Sequence, residues 1–221
     1  MKNNRQYVVL GLGIFGSTVS KTLSKYNCEV IAIDKDFECV QRVADTVSVA
    51  IQGDITDINV LKNANVGECD VAIVATGSHL EESILCVMHL KELGVPYVIA
   101  KAKNKSYKQI LEKVGVDRVI RPEKEMGVQT AKMLLNKHIL DTVDIDEEYS
   151  IVEVKVPRKW IGKTLVELDV RNKFKVNVLG IRHVDHRLDV TPSATYVLKE
   201  NDHLLIITEA NKFNKLEFLE K

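Results

Sequence analysis

Through about the first 120 residues, short apolar runs alternate with longer stretches of helical spacing. The runs YVVLGL (7–12), EVIAID (29–34), VSVAIQ (47–52), DVAIVAT (70–76), YVIAKA (97–102) and DRVIRP (117–122) read as strands. They are nearly continuous rather than alternating, as expected of strands covered by helices on both faces of a sheet. Residues 14–26, 36–44, 57–64, 79–93 and 105–114 carry apolar positions at helical intervals, punctuated by Asn27, Gly67, Gly94 and Gly115. Each crossover is short, so the pattern predicts a doubly wound parallel sheet, an α/β fold of Rossmann type.

The pattern then changes. PEKEMGVQTAKMLLNKH (122–138) opens with proline at a first-turn position and places Met126, Ala131, Met133, Leu134 and Leu135 as an apolar stripe, which predicts a crossover or hinge helix leaving the first domain. DTVDIDEEYS (141–150) is acidic and reads as a boundary. Beyond it IVEVKVP (151–157), VNVLGIRH (176–183), HRLDVTP (186–192) and DHLLIIT (202–208) predict a small mixed sheet, with KTLVELDV (163–170) as a short helix and NKFNKLEFLEK (211–221) as a closing one. The expected organisation is a nucleotide-binding domain over 1–138 and a small α+β regulatory domain over 139–221.

Charge and cysteines narrow the function classes. Lys plus Arg and Asp plus Glu are both 31, so no global field draws the chain to nucleic acid or acidic lipid. No apolar stretch reaches the roughly 18 residues needed to cross a bilayer, and MKNNRQ leads into a strand rather than a signal sequence. A cytoplasmic protein without direct membrane insertion is expected. Cys28, Cys39, Cys69 and Cys86 are singly spaced with no CxxC pair, which predicts reduced, mostly buried thiols and neither disulfide nor metal.

The chemistry concentrates at the predicted strand ends. Gly11, Gly13 and Gly16 form GxGxxG, with Ile14 and Phe15 between the last two, directly after a strand and at the opening of a helix. In that context the glycines permit a tight turn, a close approach of backbone to a diphosphate, and close helix–strand packing, while helix amides face the anion. Asp34 ends the second strand at the spacing of a carboxylate that binds ribose hydroxyls, which disfavours a 2′-phosphate; Lys35 and Arg42 act in the opposite sense. Asp54, Ile55 and Thr56 follow the third strand, Ala75, Thr76 and Gly77 the fourth, and Lys101 and Lys103 the fifth, with Lys103 suited to neutralise phosphate. Ligands of open parallel sheets bind at these carboxyl ends. His183 and His186 lack further ligands for a metal site, His79 reads as a helix-capping or crevice residue, and no Ser, Cys or Lys is framed by a nucleophile motif. The loop is therefore expected to bind rather than transform its ligand. A small NAD-dependent oxidoreductase is the alternative.

Taken in order, VLGLGIFG, EVIAID, QGDIT, VAIVATG, AKAKN and RPEKEMG resemble the N-terminal RCK domain (regulator of potassium conductance, TrkA-N). YSIVEVKVP, IGKTLVELDVR, VNVLGIRH and NDHLLIIT resemble the C-terminal module, TrkA-C. The resemblance covers essentially the whole chain and is nearest to the cytosolic subunits of Ktr-type potassium uptake systems. It implies dimers assembling into an octameric gating ring beneath an integral-membrane potassium transporter subunit. ATP and ADP, or NAD and NADH, would bind the N-lobe, with the three glycines and Lys103 on phosphate and Asp34 on ribose. Glu123 in RPEKEMG matches a family acid near the nucleotide at the subunit interface, where Mg2+, Ca2+ or Na+ can sit. Ile14 departs from the pattern: many relatives have an arginine there that reaches the terminal phosphate of a neighbour's nucleotide, leaving Lys103, Arg118 or Arg121 to compensate. Several relatives bind cyclic di-AMP between C-lobes, which implies Ile161 and Pro192 as apolar contacts to adenine and Arg171, Asn172, Asn177 and His183 as polar partners.

Overall fold

The computed structural model describes residues 5–77, 79–135, 138–146 and 148–209. The chain divides into two compact units, Met1–Glu123 and Lys124–Lys221.

In the first unit six strands, β1 (Gln6–Leu10), β2 (Glu29–Asp34), β3 (Val49–Gln52), β4 (Val71–Val74), β5 (Tyr97–Lys101) and β6 (Arg118–Ile120), form one sheet in the order β3-β2-β1-β4-β5-β6. All its pairings are parallel. The crossovers are α1 (Ile14–Lys25), α2 (Phe37–Ala44), α3 (Ile58–Asn63), α4 (Leu80–Glu92) and α5 (Lys105–Val114). Alternate strand residues feed two cores: Val8, Leu10, Ala72, Val74 and Val98 join Leu61, Leu90 and Leu111 on one side. Val9, Val30, Ala32 and Ile73 join Leu12, Val40 and Val43 on the other. This sandwiching is why each strand reads as an unbroken apolar run. The strand order reverses between β1 and β4, where open sheets of this topology place their ligands.

Helix α6 (Pro122–Leu135) leads from the first unit into the second and has no buried residue; Met126, Leu134 and Leu135 of the expected stripe are all exposed. The second unit holds β7 (Ile139–Asp144), β8 (Tyr149–Lys155), β9 (Asn177–Arg182), β10 (Leu188–Asp189) and β11 (His203–Glu209), in the order β10-β9-β11-β8-β7. Every pairing is antiparallel, so the expected mixed sheet is corrected: the strands are joined by turns and short helices rather than long crossovers. The acidic stretch expected as a boundary supplies most of β7, an edge strand on β8. The single helix expected over 163–170 is two, α7 (Leu165–Leu168) and α8 (Val170–Phe174), separated by Asp169 in the left-handed region. Trp160, Ile181, Leu198 and Leu204 centre this core, with the Trp160 ring 5.2 Å from that of Phe174. The predicted closing helix over 211–221 lies outside the described residues.

None of the four cysteines is in a disulfide; Cys28, Cys69 and Cys86 are buried and Cys39 partly so. Burial pushes the Cys69 thiol up to about 11 and that of Cys86 to about 12, keeping both protonated and inert.

Candidate nucleotide cleft

The glycine loop sits at the reversal point and is held from both sides. Gly11 N–H donates to the Ile33 carbonyl (2.9 Å), and Ala75 N–H donates to the Leu10 carbonyl (2.8 Å). Gly11 adopts φ +93°, and a Cβ there would stand 3.0 Å from the Thr76 nitrogen, so glycine is required both by conformation and by space. Gly16 is a packing residue: a Cβ on it would lie 1.9 Å from the Gly11 carbonyl oxygen. Gly13 differs. Its φ of −60° suits any residue, and a Cβ on it would meet no atom within 4 Å. Neither the backbone nor the packing of this chain requires glycine at that position. Gly13 is also the N-cap of α1 and makes no side-chain cap, which leaves the first amides of the helix to an incoming anion.

Asp34 ties the second strand to this loop. Its Oδ2 accepts from Leu12 N–H at 2.5 Å and its Oδ1 from Asp36 N–H at 2.9 Å. A carboxylate offers about four lone-pair sites, so acceptor capacity remains for a pair of ribose hydroxyls. Beside it, Asp54 accepts from the backbone and hydroxyl of Thr56 (2.9 and 2.7 Å), bonds that hold its carboxyl below the usual carboxylate range. Gly11, Asp34, Lys35, Asp54, Ile55, Thr76 and Glu82 line an open cleft of about 350 Å³. Of the strand-end residues nominated from sequence on β1–β4, Gly11, Asp34, Lys35, Asp54, Ile55 and Thr76 share this cleft, while Gly13, Thr56, Ala75 and Gly77 are not part of its lining.

Two further charged residues belong to the neighbourhood: Lys101, named from sequence beside Lys103 as a strand-end residue without a role of its own, and Glu82, which sequence reasoning missed. Lys101, the last residue of β5, pairs with Glu123 on the first turn of α6 at 2.5 Å; its aliphatic stem packs where a Gly77 Cβ would be, and its ammonium lies 6.0 Å from the centre of the Phe15 ring. The pairing holds the Glu123 carboxyl below its ordinary value, the Lys101 hydrogen bond being the main cause. Lys103, the lysine assigned to phosphate from sequence, is exposed just before Asn104, the N-cap of α5. Alternation alone does not separate them, since positions 99, 101 and 103 have the same parity; the difference is that Lys101 is the last residue of β5 and Lys103 lies beyond the strand. The missed residue is Glu82 on the first turn of α4, 3.3 Å from Lys35.

Ile14 is 88% exposed at the first position of α1. Glu123 is engaged with an ammonium, and no group of three or more potential metal ligands gathers among the described residues. The donor set of this chain therefore does not by itself fit Mg2+, Ca2+ or Na+ at Glu123, and further oxygen ligands would have to come from elsewhere.

In the second unit Arg171, Asn177 and Pro192 line one cleft with Val166, Val170, Val178 and Leu179. Arg171 Nε donates to Asn177 Oδ1 at 2.9 Å. Ile161, Asn172 and His183 do not line it: Asn172 donates to Asp169 (2.7 Å), and His183 faces Tyr196 and the buried Asp202.

Residues 7–122 match the family model of the TrkA-N domain and residues 149–218 that of the TrkA-C domain. Ktr system potassium uptake protein C of Bacillus subtilis (strain 168) is 36% identical over 214 residues, covering 96% of each chain. Ktr system potassium uptake protein A of the same organism is 35% identical, covering 97% of this chain and 96% of that one. Among solved structures the GsuK RCK domain superposes with a TM-score of 0.67 over 98% of this chain, which spans about half (48%) of that one; at 18% identity the likeness is one of fold.

Proposed function

Because this chain belongs to the TrkA-N/TrkA-C family, we propose that it is the cytoplasmic, nucleotide-sensing regulatory subunit of a Ktr-type potassium uptake system, peripheral to the membrane through its partner. Gly13 is the observation that carries the ligand: a glycine required by neither conformation nor packing, at an uncapped helix start, leaves space and amides for a phosphate. In this reading Gly11, Gly13 and Gly16 shape the diphosphate seat, Asp34 takes the ribose, and Lys101 together with Lys103 supplies positive charge for ATP, ADP or NAD(H). Ile14, an aliphatic side chain, offers the phosphates no hydrogen bond. A second copy of the chain covers the exposed apolar residues of α6, giving dimers that build an octameric ring. The ligand acts by binding one ring geometry better than another, not by reacting.

A second site is favoured by the cleft of the second unit, where apolar walls and the Arg171–Asn177 pair suit a purine with an attached phosphate such as cyclic di-AMP.

The test is calorimetric titration of ATP, ADP, NADH and cyclic di-AMP, together with the solution mass. It is paired with potassium uptake in a transport-deficient bacterium expressing this chain with a Ktr membrane subunit. Saturable binding of an adenine nucleotide that is lost in Asp34→Ala, and uptake that depends on the chain, are expected. Turnover of NADH by the purified protein, or no nucleotide binding, defeats the reading.

A further inference from the structure

The ribose end of the cleft carries an unequal charge balance. Asp34, Asp54 and Glu82 contribute three carboxylates to its lining, against the single ammonium of Lys35. Lys35 and Arg42 are the two nearby cations that would favour a phosphate on the ribose, and both are engaged. Lys35 Nζ lies 3.3 Å from Glu82 Oε1, while the other Glu82 oxygen lies 3.7 Å from His79 Nδ1. The guanidinium of Arg42 is turned along its own helix, with Nη2 donating to Cys39 Sγ at 2.7 Å. Glu82 reaches the ribose end from α4, some fifty residues beyond Asp34, so it belongs to no local dinucleotide fingerprint.

We propose that Glu82 is a specificity-determining residue of the cleft. By pairing with Lys35 it removes the cation that a ribose 2′-phosphate would need, and by its own charge it repels that group, so the site selects adenosine with free 2′- and 3′-hydroxyls. The inference rests on the reading of this cleft as an adenosine nucleotide site. A phosphate monoester carries close to two negative charges near neutral pH, so the two effects add. Lys35 is exposed and Glu82 partly so, so the effect weakens as salt rises.

The experiment measures the affinities of ADP and of its 2′-phosphorylated derivative, which differ at one oxygen, by calorimetry at low and at physiological ionic strength. Wild-type protein should prefer ADP. Glu82→Gln should shift the ratio about tenfold toward the 2′-phosphate at low salt, and Glu82→Lys further. Adding Lys35→Ala to Glu82→Gln should return the ratio toward wild type, because the freed ammonium is then gone. Unchanged ratios in both Glu82 variants, with ADP affinity retained, overturn the inference and leave the nucleotide reading standing. Failure of wild-type protein to bind either ligand removes both.

Discussion

Gly13 and Gly16 stand three residues apart in one loop for opposite reasons, and substitution separates them. Gly16→Ala drives a methyl to 1.9 Å from the Gly11 carbonyl oxygen. Helix and loop must part, and a loss of about 2 kcal/mol or more is expected, in the upper range of overpacking. Gly13→Ala meets nothing and keeps an ordinary φ, so stability should stay within about 1 kcal/mol of wild type. The same methyl enters the space left for phosphate, and ADP affinity should fall at least about tenfold, a cost of roughly 1.4 kcal/mol. Denaturant midpoints beside ADP titrations check both halves; wild-type ADP affinity in Gly13→Ala would show that no ligand approaches the backbone there. These glycines and Asp34 were legible in the sequence because their roles are set by chain-local spacing around one turn. Glu82, and the role of Lys101 as against its neighbour Lys103, were not, because each acquires its role from a partner on a different element, Lys35 in one case and Glu123 in the other.

The parallel strands announced themselves because burial on both faces makes each a continuous apolar run. β7 stayed hidden for a physical reason. It is an edge strand with two aspartates, and a register shift between Ile139 and Asp141 breaks the two-residue alternation by which a half-buried strand is read. Its aspartates serve α6: Gln129 donates to Asp141 and to the Thr142 carbonyl (3.0 and 2.9 Å), and Lys132 lies 2.6 Å from both oxygens of Asp144, which also accepts from Ser150 (2.7 Å). Burial opposes the charge on Asp144, but the Lys132 and Ser150 hydrogen bonds outweigh it and hold the carboxyl below its ordinary value of 3.8. A depressed carboxyl contributes stability that is present above its unfolded value and is lost as pH falls through the lower folded one. Asp144→Asn should therefore lower the urea midpoint of the second unit by an amount that is constant above about pH 5 and shrinks below about pH 4. A deficit that persists undiminished at pH 3 would mean that the charge of Asp144 is not what joins β7 to α6. The antiparallel direction of this sheet was illegible for a related reason: run length and composition specify that a segment is a strand, while its direction depends on which neighbour it finds.

At the scale of the whole molecule, binding must be converted into a change of assembly, and the magnitudes decide whether a site with Ile14 can do so. Moving a two-state ring from about 1:99 to 99:1 takes roughly 5.5 kcal/mol of differential binding. Shared across the eight sites of the proposed ring, that is about 0.7 kcal/mol per site, or roughly a threefold difference in affinity between the two geometries. So small a difference needs no dedicated arginine on the terminal phosphate; a modest change in how Lys101 divides between Glu123 and the nucleotide is enough. Coupling of this kind exists only where chains meet, and in the proposed assembly that meeting is on α6, where Leu134 is 81% and Leu135 63% exposed. Leu134→Asp should thus reduce the solution mass without lowering the melting temperature of the chain by more than a few degrees. It should leave ADP affinity per chain within about threefold, and abolish any difference between the ATP- and ADP-bound scattering profiles that the wild-type assembly displays. Wild-type rings with identical dimensions in ATP and in ADP would break the link between the cleft and the assembly, since a ligand with equal affinity for both geometries shifts neither, however tightly it binds.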